Sequence, residues 1–292
     1  MTAVTASMVK ELRERTGLAM MECKKALTEA DGDVELAIDN LRKSGQAKAA
    51  KKAGNIAADG AITIVQEGKK AIILEVNCQT DFVAKDENFA GFSTKVATAA
   101  LAANETDAAK IVELKLEDGL TVEEARIALV QKIGENIQVR RAKIVEGENL
   151  AVYKHGLRIG VVVSYTGSAE TGKGVAMHVA AFNPVAVTAE DVPAELVAKE
   201  KEIAEAKAIE SGKPANIVEK MVSGSVDKYL NEVVLERQMY VIDNDKKVAE
   251  ILKSTATTIV EFVRFEVGEG IEKKAEMSFA EEVAAAQAEA AK

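Results

Sequence analysis

The stretch Gly167–Gly174 (GSAETGKG) is the part of this sequence that comes nearest to a catalytic motif. Its glycine and lysine spacing matches a phosphate-binding P-loop, and it lies between an apolar predicted strand and a predicted helix. However, Gly174 stands where such a loop needs Ser or Thr to bind Mg²⁺, and the acid that ends a Walker B-like strand, Glu75, precedes the stretch instead of following it. A turn from strand to helix requires glycine in any case, so a nucleotide site is the less favoured interpretation.

The histidines and cysteines are too far apart in the sequence to indicate a metal site or a nucleophile. His155 and His178 have no second histidine or cysteine at metal-ligand spacing, and neither Cys23 nor Cys78 has a histidine nearby. We expect His178 to be a partly buried helix residue and His155 to lie at a strand edge or turn. The sequence therefore predicts no metal, no cofactor and no enzyme activity, and two lone thiols favour a reducing compartment.

The segment NCQTDFVAK, residues 77–85, has the features of a protein-binding site. It follows an apolar strand, and Thr80 or Asp81 is placed to cap a helix whose first turn would contain Phe82. Asp81 could merely satisfy free backbone N–H groups, and Phe82 could cover the core. However, later residues of the helix already supply a buried stripe, namely Phe89, Phe92 and Val96. We therefore expect Phe82 to be exposed, since an acid beside an aromatic side chain at a rigid helix tip anchors a partner protein well.

The elements that precede this segment form a predicted helical module. Residues 1–45 predict three short helices, of which the third begins at the N-cap Asp33 and ends at Gly45. A basic linker follows over residues 46–58, and its charge fits a solvated connection and a docking segment equally well.

Two related α+β lobes are predicted to follow. In the first, residues 59–147, two strands meet at Glu67-Gly68, two helices follow, and a third strand closes the lobe. A capping box at Thr121 and Glu124 begins the second of those helices. The same order recurs weakly in a second lobe, which comprises 148–188 and 236–268.

The second lobe is interrupted by an insertion, and a short module follows it. Residues 189–235 have alternating charges and a thin apolar stripe, which predict an antiparallel coiled-coil hairpin with its turn at Gly212-Lys213-Pro214. Ser278 and Glu281 form a capping box, so residues 269–292 predict a C-terminal helical module.

Composition limits the class of protein. With 292 residues of which 48% are apolar, the chain can bury a real core in two or three domains. Its formal net charge of −9 argues against a general nucleic-acid-binding surface. The N-terminus lacks the apolar run of a signal peptide, and no stretch approaches the ~20 apolar residues that span a bilayer. We therefore expect a cytoplasmic location.

Motifs distributed from end to end connect the sequence with a known family. They are ELRERTGLAMMECKKAL, AGNIAADG, NCQTDFVAKDENF, HGLRIGVVV, MHVAA, SGKP and RFEVGEGIEKK. TDFVAK and the opening motif are highly specific, and the sequence departs from the family at none of these motifs. The chain resembles bacterial elongation factor Ts, the family of guanine-nucleotide exchange factors of elongation factor Tu.

The resemblance implies a function, a partner and a set of contacts. The N-terminal bundle would be ubiquitin-associated-like and would dock on the GTPase domain of elongation factor Tu, in its GDP form and in the nucleotide-free complex. Contacts near the phosphate and magnesium site would come from Thr80, Asp81, Phe82 and Val83, and His155 on the second lobe would contact a more distant domain. The resemblance requires no nucleic acid or membrane, and the sequence leaves a monomer, a homodimer, a stable heterodimer with the partner and a heterotetramer open.

Two alternatives to an exchange factor have different signatures. A plain binding module would use the helical bundle and basic linker to dock on ribosomes or RNA, although the acidic net charge and the intact TDFVAK segment argue against it. A small NTPase would use Gly167–Gly174 and would bind nucleotide by itself.

Overall fold

The structure, a computed structural model, describes residues 4–210 and 214–272 and has the mixed helix and sheet content of the predicted α+β class. Gly212 and Lys213 of the predicted hairpin turn, and the helix predicted from Ser278 and Glu281, lie outside the described residues. Among the helices of the described ranges, none is long and apolar enough to cross a membrane.

Three helices open the chain, as predicted. They are α1 (Ala6–Thr16), α2 (Met20–Glu29) and α3 (Val34–Lys52). Thr5 and Asp33 cap the first and third helices by accepting hydrogen bonds from backbone N–H groups, and Gly17 ends α1 in the left-handed conformation. Leu12 and Leu27 are fully buried where the three helices meet.

The first sheet contains three antiparallel strands in the order β1-β2-β3. The first lobe comprises β1 (Asp59–Glu67), β2 (Lys70–Cys78), α4 (Asp81–Ala84), α5 (Glu87–Ala103), α6 (Ala108–Ile111), α7 (Val122–Ile133) and β3 (Gln138–Glu146). The turn at Glu67-Gly68 and the capping box of Thr121 and Glu124 are both present, as predicted.

The second sheet has the same topology, β4-β5-β6, again antiparallel. The second lobe and its insertion comprise β4 (Asn149–His155), β5 (Ile159–Thr166), α8 (Ala169–Phe182), α9 (Ala194–Glu210), α10 (Ala215–Val233), α11 (Val248–Ser254) and β6 (Thr258–Glu266). The helices α9 and α10 pack on each other through Ala204, Ala208 and Val222, in the region where the sequence predicts a helical hairpin. The precise domain boundaries stay a prediction.

Helix α3 corrects the expected end of the N-terminal module. The helix passes through Gly45 and continues to Lys52, so part of the predicted linker is helical. Gly45 is buried against α7, where an added Cβ would lie 2.5 Å from Oε1 of Gln131. Lys48 on the next turn donates a hydrogen bond of 3.1 Å to the Gln131 carbonyl. Gly45 therefore permits close approach of two helices instead of ending one, and a sequence pattern does not distinguish these two uses of glycine.

The two sheets pack face to face between their own helices. On β2, Ile72 and Leu74 face the helices of the first lobe, whereas Ile73 faces the second sheet. On β5, Val162 faces the first sheet, and Gly160 lies so close to it that an added Cβ would be 2.5 Å from Cγ2 of Ile62. The sequence predicts helices on one face of each sheet, and the structure adds that the other face is a shared apolar layer.

A charged group is buried at the edge of this shared layer. Glu75 on β2 is fully buried, and its carboxylate accepts hydrogen bonds from Arg140 (2.9 and 3.1 Å) and Arg141 (2.5 Å) on β3. It also accepts a hydrogen bond of 2.8 Å from the backbone N–H of Gly268, which follows β6. Burial alone would raise the pKa of Glu75, but the donors from Gly268, Asn77 and the two arginines outweigh it, so the pKa lies below its ordinary value.

We predict that Glu75→Gln lowers the free energy of unfolding by about 3 kcal/mol at pH 7, because two arginines lose a buried ionic partner. Since the pKa is lowered on folding, the stabilisation by Glu75 is complete above the unfolded-state value of about 4.3 and is lost as the pH falls through the folded-state pKa. Urea denaturation of both proteins at pH 7 and at pH 3.5 measures the difference. Equal stability at pH 7, or a difference that does not shrink in acid, would contradict this assignment.

Candidate partner-binding site

The site begins where β2 ends. Strand pairing of β2 continues to Cys78, which is opposite Asp59 of β1. Thr80 then caps the one-turn helix α4, since its Oγ1 accepts a hydrogen bond of 3.4 Å from the N–H of Val83. Asp86 caps α5 directly afterwards by accepting hydrogen bonds from the N–H groups of Asn88 and Phe89. The segment is thus a short helical tip held between a strand and a longer helix.

A carboxylate from a distant part of the chain binds the base of this tip. Oε2 of Glu135 accepts hydrogen bonds of 3.1 Å from the N–H groups of both Gln79 and Thr80, and its Oε1 accepts one of 2.7 Å from Oγ1 of Thr80. The Gln79 side chain is held as well, because its Oε1 accepts hydrogen bonds from Asn55 (2.9 Å) and from the N–H of Asn136 (3.1 Å). The base of the tip is therefore fixed by two separate segments, at Asn55 and at Glu135 with Asn136.

The four residues predicted to contact a partner divide into two exposed and two supporting side chains. Phe82 is 81% exposed, as expected, although the exposure of an apolar phenyl ring to water is not favourable. Asp81 is also exposed, and the Lys85 ammonium, which donates to it at 2.7 Å, lowers the pKa of its carboxyl group. Val83 instead points inward, is 8% exposed and packs in the core of the first lobe. Thr80 and Val83 are thus placed to hold the tip, and Asp81 and Phe82 are its outward face.

The cysteine that precedes the tip is buried. Burial raises the pKa of the nearby Cys78 thiol to about 12, so the group stays protonated and unreactive at neutral pH. No group of three or more His, Cys, Asp and Glu side chains within residues 4–210 and 214–272 is arranged to hold a metal ion.

His155 occupies the end of β4, exposed at the start of the turn to β5. Its Nδ1 lies 3.3 Å from the hydroxyl of Tyr153, on the same face of the strand. The turn itself rests on the first lobe, since the Leu157 carbonyl accepts a hydrogen bond of 2.8 Å from the N–H of Ile62, and Arg158 lies 3.5 Å from Asp59. His155 is therefore presented from a turn that both lobes hold.

The other histidine has a structural environment. His178 on α8 is fully buried, more so than the sequence suggests, and its Nε2 pairs with Oε1 of Gln238 at 2.9 Å. Its Nδ1 accepts a hydrogen bond from the N–H of Val241, which leaves the proton on Nε2. Burial lowers the pKa of His178, so a neutral ring is the stable form.

The stretch Gly167–Gly174 forms no phosphate-binding loop. Ser168 caps α8, and the helix already includes residues 169–174. Two of its glycines allow close packing instead: an added Cβ on Gly172 would lie 2.6 Å from the ring of Tyr165, and one on Gly174 would overlap the hydroxyl of Tyr240. The N–H of Gly172 already donates to the Ser168 carbonyl, and the N–H of Ser168 donates to Oγ1 of Thr257.

Sequence reasoning missed the residues that hold the tip, namely Asn55, Gln79, Glu135 and Asn136. Glycine at position 134 predicts the end of a helix, and Gly134 does end α7, with φ of +86°. Nothing in the sequence pattern, however, connects the next two residues with a segment 55 positions earlier in the chain. The signal that was available is local: polar residues in the sequence GEN directly after a helix, at a strand entry.

The sequence matches those of known proteins over the whole length of the chain. The family model described as Elongation factor TS matches residues 79–269, so its match begins at the base of the tip. A protein named Elongation factor Ts from Acinetobacter baylyi is 88% identical over 290 residues, which cover 99% of this chain and 100% of that protein. The chain belongs to the elongation factor Ts family. Proteins of the same name from Acinetobacter baumannii and Psychrobacter sp. are 84% and 71% identical, again over 100% of their length.

We predict stability effects of different size at two neighbouring positions of the tip. Phe82→Ala should change the free energy of unfolding by less than about 0.5 kcal/mol, because the ring is exposed. Val83→Ala should lower it by about 2 kcal/mol, because it leaves a cavity in the core. Urea denaturation of both variants checks the division, and a Phe82→Ala loss as large as that of Val83→Ala would show that the ring packs on the protein.

Proposed function

We propose that this chain is a guanine-nucleotide exchange factor that binds elongation factor Tu in its GDP form and promotes GDP release during translation elongation. Membership of the elongation factor Ts family supports the assignment, as do the relatives of that name that match over their full length. The observation that carries it is Phe82, an aromatic side chain 81% exposed on a tip whose base is fixed.

The proposed mechanism uses binding free energy instead of covalent chemistry. Phe82 inserts between elements of the partner near its phosphate and magnesium site, and Asp81 competes for the hydrogen-bond donors that hold the phosphates. A GTPase that binds GDP at nanomolar strength has about 12 kcal/mol of binding free energy, so the loss of several kcal/mol accelerates release greatly. Docking over a broad surface offsets the cost of this distortion.

The broad surface combines four parts of the chain. The N-terminal bundle docks on the GTPase domain, and its Met20 and Met21 are 57% and 73% exposed although they are apolar. The turn at His155 contacts a more distant domain of the partner. The helical hairpin and the C-terminal module add accessory contacts, and the complex needs neither nucleic acid nor a membrane.

Neither alternative function gains support from the site. An NTPase at Gly167–Gly174 lacks the loop it would need, since these residues lie mainly in α8. Docking on RNA by the helical bundle and the basic linker is disfavoured because two of their basic side chains face acidic partners within the chain: Arg42 pairs with Glu124 at 2.5 Å, and Lys48 lies 3.9 Å from Glu22.

We predict that Phe82→Ala slows GDP release from elongation factor Tu by at least about 30-fold relative to the unaltered chain, which corresponds to a loss of about 2 kcal/mol at a central contact. Stopped-flow release of a fluorescent GDP, with the chain in excess, measures the rate. The control is Val260→Ala, which truncates another apolar side chain, 60% exposed on β6, and should leave the rate within about twofold. An unaltered rate in Phe82→Ala would refute the role of the tip.

A further inference from the structure

Two backbone N–H groups at the base of the tip lie outside the hydrogen-bonding pattern of the sheet. The pairing of β2 ends at Asn77 on the β3 side and at Cys78 on the β1 side, so the N–H groups of Gln79 and Thr80 lie beyond the last rung of both ladders. Strand pairing does not determine the direction of the chain beyond this point, because the two N–H groups have no partner strand. An acceptor from another part of the chain has to determine it.

Glu135 supplies that acceptor, and it does so at three points. One carboxylate oxygen accepts from both N–H groups at 3.1 Å, and the other accepts from the Thr80 hydroxyl at 2.7 Å. Because this hydroxyl gives its proton to Glu135, its lone pairs are directed to the N–H of Val83, at 3.4 Å. The cap of α4 is thus oriented by Glu135 through Thr80.

The position of Glu135 is itself fixed on both sides. Gly134 before it has φ of +86° with no atom within 4 Å of an added Cβ, so glycine is required there for its conformation and not for space. Asn136 after it donates its N–H to Gln79 and its side-chain amide to the Asn55 carbonyl, at 3.1 and 2.8 Å.

We propose that Glu135 is a positioning residue for nucleotide exchange: it touches no partner, but it sets the direction in which Phe82 leaves the protein. This role rests on the proposed function. Helix α4 has only four residues, so it has no cooperative helical stability of its own and takes its orientation from its cap. An anchor that is ordered before binding avoids the entropy cost of ordering it in the complex.

The test uses the full-length chain with Glu135→Ala and, as control, Glu113→Ala, which removes an exposed carboxylate from the same lobe. Amide hydrogen exchange, followed by NMR, should show that Gln79 and Thr80 lose protection in Glu135→Ala only. The maximal rate of GDP release should fall about tenfold, while the chain concentration that gives half-maximal rate stays within about threefold, because docking surfaces elsewhere are intact. Glu135→Gln keeps an acceptor oxygen for the two N–H groups, so it should retain an intermediate rate.

A double-mutant cycle separates positioning from a general structural role. If Glu135 acts through Phe82, then Glu135→Ala has no further effect on the release rate in a Phe82→Ala background. Additive losses, or an unaltered rate in Glu135→Ala despite lost amide protection, would overturn the proposal while leaving the exchange function in place. An unaltered chain that does not accelerate GDP release would instead refute the proposed function, and the positioning role with it.

Discussion

The rest of the structure depends on the hydrogen bonds and ion pairs that the buried carboxylate of Glu75 makes. It lies at the edge of the apolar layer between two sheets and binds groups from β3 and from the segment after β6. Arg141 completes the junction, since its guanidinium group also lies 4.3 Å from the centre of the Phe265 ring and donates to the Glu266 carbonyl at 2.9 Å. A buried ion pair is a weak source of stability but requires one arrangement of its partners, so it favours a fixed relation between the lobes.

That fixed relation matters because the predicted contacts come from both lobes. The tip with Phe82 leaves from β2, and the turn after His155 rests on β1 through the hydrogen bond from Ile62 to Leu157. Arg158 in this turn reaches Asp59, which is paired with Cys78 at the last rung before the tip. The two predicted contact regions are thus joined by a continuous path of hydrogen bonds and strand pairing. For the proposed mechanism this connection matters, because a mobile contact would yield where the partner has to be distorted.

The sequence predicts what is local and misses what is distant. The hairpin at Glu67-Gly68, the capping box at Thr121 and the exposure of Phe82 follow from residues within one or two turns of each other. The continuation of α3 beyond Gly45 and the packing of sheet on sheet at Gly160 depend on segments far along the chain, and glycine signals them only as an ambiguous break. Glu135 was missed for the same reason, since its partners lie 55 and 56 positions earlier. The binding roles of Thr80, Asp81, Phe82, Val83 and His155 stay predictions.

The most direct test of the account is the affinity of this chain for elongation factor Tu with and without GDP. If the chain acts by loosening nucleotide, then GDP must weaken binding of the chain by the same factor by which the chain weakens binding of GDP. Isothermal titration of the chain into nucleotide-free and GDP-bound partner gives the first factor, and GDP titration with and without the chain gives the second. The proposed exchange mechanism predicts equal factors, each well above about 100, corresponding to about 3 kcal/mol of coupling. Equal affinity for the two forms of the partner would contradict it.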